Sequence, residues 1–164
     1  MKFVVLGVVL AGVACGSETH WLDDQTCFGS DAPPQWLSET GCFEGEELTP
    51  VATLVPYEIQ APLWSDGAGK RRYVTLPKDT FLELDGEDLL LPPGGVLIKE
   101  FLVADRRVET RFLTRDLEGE WHFTTYVWEE GATDAYLLED GLDLVVGDDT
   151  WAVPSNRDCT TCHA

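Results

Sequence analysis

Residues 120–130, EWHFTTYVWEE, decide the fold. Successive side chains of a strand point to opposite faces, so Trp121, Phe123, Thr125 and Val127 face one way. His122, Thr124, Tyr126 and Trp128 face the other. Aromatic and β-branched residues stand on both sides, the pattern of a strand with neighbours and with cover above and below. Just upstream, GVLIKEFLVA (95–104) and RVETRFLTRD (107–116) flank a turn expected at Asp105-Arg106 and read as a hairpin. Further strands are expected at 51–55, 71–76, 80–84, 88–91, 134–139 and 142–146. Turn signals separate them: Asp85-Gly86, Pro92-Pro93-Gly94-Gly95, Glu118-Gly119, Glu130-Gly131 and Asp140-Gly141. Many short strands spaced by such turns predict a mainly β chain, an antiparallel β-sandwich or jelly-roll-like domain over 35–154. Residues 155–164 are expected to start a short C-terminal helix, because Ser155 stands three residues before Asp158 in a capping-box-like spacing.

The chain has 164 residues, with 11 Lys+Arg against 30 Asp+Glu and a net charge of -19. Such a field repels nucleic acid and anionic lipid and favours basic partners; the plainer reading is a solubility coat. Met1-Lys2 and the apolar run FVVLGVVLAGVA (3–14) read as a signal peptide, too short to span a bilayer. LAGVAC (10–15) resembles a bacterial lipoprotein signal, in which Cys15 is acylated; an ordinary secretory peptide is the alternative. Residues 15–34 then read as a polar tether. The expected location is extracytoplasmic, in the periplasm or at the cell surface, with membrane attachment through the lipid alone.

The five cysteines sort on that basis. Cys15 carries lipid, Cys27 and Cys42 pair as a disulfide, and Cys159 and Cys162 belong to the closing stretch DCTTCHA (158–164). Two unpaired thiols at 27 and 42 are the alternative. Cys-x-x-Cys-His is the attachment motif of covalent haem c. On a helix, positions 159, 162 and 163 are i, i+3 and i+4 and share a face. Two thiols then meet one porphyrin edge, and His163 rises beneath the iron as proximal ligand. Rival readings are a Cys159–Cys162 disulfide or redox pair, which lacks a βαβ setting, and a zinc site, which lacks a fourth ligand. A short helix does not wrap a porphyrin, and a haem usually takes a second axial ligand. His122, mid-strand, is expected to be a hydrogen-bonded sheet histidine and not that ligand.

Beyond the motif, several stretches resemble a known family: WLSETGCF (36–43), VPYEIQAPLWSDGAGKRRYVTLP (55–77), LPPGGVLIKEF (91–101), VETRFLTR (108–115), YVWEEGATDAYLL (126–138) and VPSNRDCTTCH (153–163). The family comprises extracytoplasmic bacterial c-type cytochromes in which an N-terminal β-domain precedes a haem domain. The resemblance implies one covalent haem c, thioethers at Cys159 and Cys162, His163 on the iron, and a distal ligand, typically Met, further along. It also implies respiratory electron transfer beside an extracytoplasmic dehydrogenase. The motif lies one residue from the end of the sequence, so the expectation is a truncated or split cytochrome. Its partners would be a redox protein, or a separate chain supplying the haem domain.

The competing reading is an extracytoplasmic β-sandwich binding or interaction module whose terminal motif is vestigial or disulfide-forming. Enzyme activity finds little support: no serine–histidine–aspartate spacing, phosphate loop or His-rich set is present, and Glu129 and Glu130, being adjacent, point to opposite strand faces. Two further clusters carry chemistry. Lys70, Arg71 and Arg72 could recognise a carboxylate or haem propionate, or form a locally paired surface patch. Asp140, Asp143, Asp148 and Asp149 lack the EF-hand spacing and read as solvated turns.

Overall fold

A computed structural model describes residues 27–28, 32–86 and 88–163, apart from the side chains of 88 and 160–163. The signal segment, Cys15 and most of the tether lie outside the described residues. The chain is mainly β and antiparallel and closes on one short helix, as expected.

Six strands form the main sheet: β3 (Val55–Pro56), β4 (Gly69–Thr75), β7 (Val96–Val103), β8 (Arg106–Arg115), β9 (Trp121–Val127) and β10 (Tyr136–Leu138). Their order is β10-β9-β8-β7-β4-β3. Among the described residues, three two-stranded ribbons accompany the main sheet: β1 (Phe43–Glu44) with β2 (Thr49–Pro50), β5 (Glu83–Asp85) with β6 (Asp88–Leu90), and β11 (Leu142–Val146) with β12 (Asp149–Val153). Helix α1 spans Asn156–His163.

Strand β9 pairs with β8 on one side and β10 on the other, and both of its faces are covered. On one face, Tyr73, Ile98, Phe112, Tyr126 and Trp128 pack beneath the N-terminal segment, which contributes Phe28, Leu37 and the Cys27–Cys42 disulfide. Phe28 stacks on Phe112 with ring centroids 4.9 Å apart. Cys27 and Phe28 belong to the stretch read as a tether, yet both are buried in this cluster. Arg107 fastens the same layer: its guanidinium lies 3.9 Å over the Trp128 ring and donates to the carbonyls of Leu48 (2.9 Å) and Glu47 (2.8 Å). On the other face, Phe101, Val108 and Val127 pack against Val146, Trp151 and Val153 of the β11–β12 ribbon.

The strand expected at 51–55 is instead a turn over 51–54 between β2 and β3, where the Leu54 N–H donates to the Val51 carbonyl at 3.0 Å, and two further local features differ from the sequence reading. The β7–β8 turn is Ala104-Asp105, one residue earlier than expected. Val103 pairs with Arg106, and both turn residues have positive φ, 48° and 61°, as a type I′ turn needs. Asp tolerates that conformation better than Arg, so the tight turn takes Asp105 and leaves Arg106 to the strand. Strand β12 was not foreseen. Gly147-Asp148 is the two-residue turn that forms it, with Val146 opposite Asp149 and Gly147 at φ 65°.

Strand β8 also carries a bulge. Phe101 stands opposite Glu109 but Leu102 opposite Arg107, so Val108 is the extra residue. Val108 and Glu109 are consecutive, fully buried and both turned to the β11–β12 ribbon, which regular alternation would forbid.

Candidate functional site

Helix α1 begins where the sequence places it. The Asp158 carboxylate accepts from the Ser155 backbone N–H (2.9 Å) and hydroxyl (2.7 Å), and the Asp158 N–H donates to the Ser155 carbonyl at 3.0 Å. Those hydrogen bonds hold the Asp158 carboxyl below its ordinary range. The helix starts three residues after Val153, which is buried under the sheet, and it packs on β9. Positions 159, 162 and 163 therefore stand in the i, i+3, i+4 relation on a helix fixed at its N-terminal end.

Cys159 is a free thiol, half-buried, with Sγ 3.7 Å from the Ser155 carbonyl. Burial pushes the thiol up; the Arg111 guanidinium pulls it down, and Glu109 and Asp158 push it further up. The balance keeps it protonated near neutral pH, unlike the depressed thiol of a disulfide-exchange centre.

Behind Cys159 lies an unusual row. Register places Thr125 (β9) opposite Arg111 (β8), Arg111 opposite Lys99 (β7), and Lys99 opposite Arg72 (β4). Three cations thus face one another across adjacent strands, an arrangement that is destabilising without counter-charge. Arg111 is held by both Glu109 carboxylate oxygens, and Arg72 lies 3.8 Å from Glu58. Between them, Lys99 has its ammonium 4.7 Å from the Phe101 ring centroid and no carboxylate within ion-pair distance among the described residues. Burial, with Lys70, Arg111 and Arg72 beside it, brings the Lys99 ammonium down to about 8. At the other end of the row, Thr125 is buried and its hydroxyl has no hydrogen-bond partner among the described residues.

The three consecutive cations of β4 divide between the faces. Arg71 turns to the opposite side, 3.9 Å from buried Glu100. Lys70 and Arg72 line a hollow of about 340 Å³ with Glu58, Pro62, Leu63 and Trp64, and the Lys70 ammonium donates to the Leu63 carbonyl. Leu63 and Trp64 are each 81% exposed, so the rim of this hollow is apolar and open.

The remaining candidates fall elsewhere. His122 holds Asp116 at 2.7 Å, on the face opposite Thr125, so it is the hydrogen-bonded sheet histidine expected. Asp140, Asp143, Asp148 and Asp149 lie on or beside the β11–β12 ribbon, and no group of three or more His, Cys, Asp or Glu suited to a metal ion occurs among the described residues. No helix among them is long and apolar enough to cross a membrane. Sequence reading missed Lys99, Glu109 and Trp64, whose setting depends on strand register and on a bulge.

No protein-family model matches the chain, and neither a curated protein nor a solved structure matches it.

Proposed function

We propose that this chain carries covalent haem c for electron transfer, with Cys159 and Cys162 as thioether residues and His163 as the proximal iron ligand. The supporting observation is the free, half-buried, protonated Cys159 on a helix docked against the sheet. A protonated thiol suits thioether formation: the S–H adds across a vinyl C=C, sulfur to one carbon and hydrogen to the other, with no oxidant consumed. Bound iron supplies the one-electron chemistry; the chain anchors the porphyrin edge and presents His163. The resemblance to c-type cytochromes with an N-terminal β-domain leads to the same reading. The six-stranded sheet and the β11–β12 ribbon are then the two layers of a sandwich-like β-domain. The second axial ligand comes from outside the described β-domain, and a separate haem-domain chain is one source. Cys15 is the lipid anchor of an extracytoplasmic protein, and the acidic coat favours a basic redox partner.

Expression with the signal intact in a host competent for haem c maturation tests this. The expected product has the mass of the processed, lipidated chain plus one haem and gives a pyridine haemochrome; Cys159→Ala with Cys162→Ala lacks the haem mass and gives no haemochrome. A folded, colourless product from the unaltered chain would overturn the haem reading and leave a β-domain binding module.

A further inference from the structure

We propose that the cross-strand row Arg111–Lys99–Arg72 is a carboxylate-binding ladder that receives the two propionates of the porphyrin anchored at Cys159. The inference rests on the haem reading and adds what holds the far edge of the ring.

The geometry runs in one direction. Helix α1 packs on β9, and from β9 the row continues through Arg111 on β8 and Lys99 on β7 to Arg72 on β4. Two inter-strand spacings separate Arg111 from Arg72, about 10 Å. A protoporphyrin carries its two carboxylates on the edge opposite its two vinyl groups. A thioether at Cys159 therefore sends the carboxylates away from the helix, along the row towards Lys99 and Arg72. Of the charges that act on the Cys159 thiol, Arg111 at the start of the row has the largest influence.

Two further observations favour a dianion there. A row of three like charges is costly unless countered, and Glu109 and Glu58 hold only its two ends. Thr125, the β9 member of the row, has a buried hydroxyl without a partner, which a bound polar group would satisfy. All this cationic density stands on one face of a protein with net charge -19.

Mesoporphyrin IX tests the ladder independently of haem attachment, because it keeps both propionates but has no vinyl groups. Binding is read by quenching of tryptophan fluorescence in the unaltered chain. The diacid is expected to bind at least roughly tenfold more tightly than its dimethyl ester, the loss of one or more charge-assisted hydrogen bonds. Lys99→Met should weaken the diacid by about tenfold and leave the ester unchanged, and Lys99→Arg should restore it. Equal binding of diacid and ester, or no binding of the diacid, overturns the ladder, and the first comparison needs no variant to fold. A chain that acquires covalent haem yet shows no diacid preference loses only the ladder. A chain that prefers the diacid but never acquires haem loses the haem reading and keeps a porphyrin-dicarboxylate site.

Discussion

The indole N–H of Trp151 donates to the Glu109 carboxylate at 3.0 Å, across the seam between the β11–β12 ribbon and the main sheet. Glu109 is fully buried, and Arg111 occupies the same carboxylate. One buried charge thus holds the ribbon that ends at Val153 and, at its other side, the cation that begins the ladder. Trp151 also lies against Phe101, with ring centroids 5.4 Å apart. Trp151→Phe keeps an aromatic ring but strips Glu109 of a donor. It should cost about 1–3 kcal/mol in urea unfolding, and hydrogen exchange in α1 should rise more than in β7. An unchanged midpoint would show that this bond does not hold the ribbon.

The Cys27–Cys42 disulfide closes a loop of 15 residues within the cluster over Phe112. Replacing both cysteines by alanine should lower stability by about 3 kcal/mol, mainly through a less constrained unfolded chain. Chemical denaturation with and without reductant measures it. Insensitivity to reductant would mean that the bridge adds little to the core packing around it.

Ala104 and Asp105 occupy left-handed backbone without glycine, at φ 48° and 61°. A side chain there strains the backbone, and Asn-Gly is the preferred pair in a type I′ turn. Ala104→Asn with Asp105→Gly should stabilise the protein by about 1 kcal/mol and raise Tm by a few degrees. A lower Tm would argue against this turn type.

Lys99 gives the protein a signature in alkaline solution. Its ammonium sits at about 8 in the folded chain, lowered by burial and by Lys70, Arg111 and Arg72, with Glu109 acting the other way. In the unfolded chain it returns to about 10.4. Between those values the unfolded chain binds more protons, so Lys99 makes stability rise with pH across that window. The difference in unfolding free energy between the unaltered chain and Lys99→Met should therefore shift in favour of Lys99 from pH 8 to pH 10. A difference that stays flat would place the ammonium in water.

The strand pattern was legible because alternation survives in isolation. Tyr126 and Trp128 on one face and Val127 on the other could be assigned from EWHFTTYVWEE alone, and the helix start from Ser155 and Asp158. Register was not legible. Nothing local in GVLIKEFLVA places Lys99 between Arg72 and Arg111, because that depends on which residues the turns bring opposite one another. The bulge at Val108 is equally non-local, and it is what buries Glu109 next to Trp151. Strand β12 could have been found from Gly147-Asp148, a two-residue hairpin signal between apolar runs. The contribution of Phe28 to the core could not, because polar and turn-forming neighbours hide a single buried aromatic.

Both margins of the main sheet are brief. Strand β3 is two residues long and ends on Pro56, which has no amide hydrogen to offer, and β10 is three residues long, with Trp36 bridged to Tyr136 beside it. A second molecule approaching either margin finds few open amides to pair with and a strongly anionic coat that resists approach. The main sheet is therefore protected against strand-by-strand growth from either of its margins.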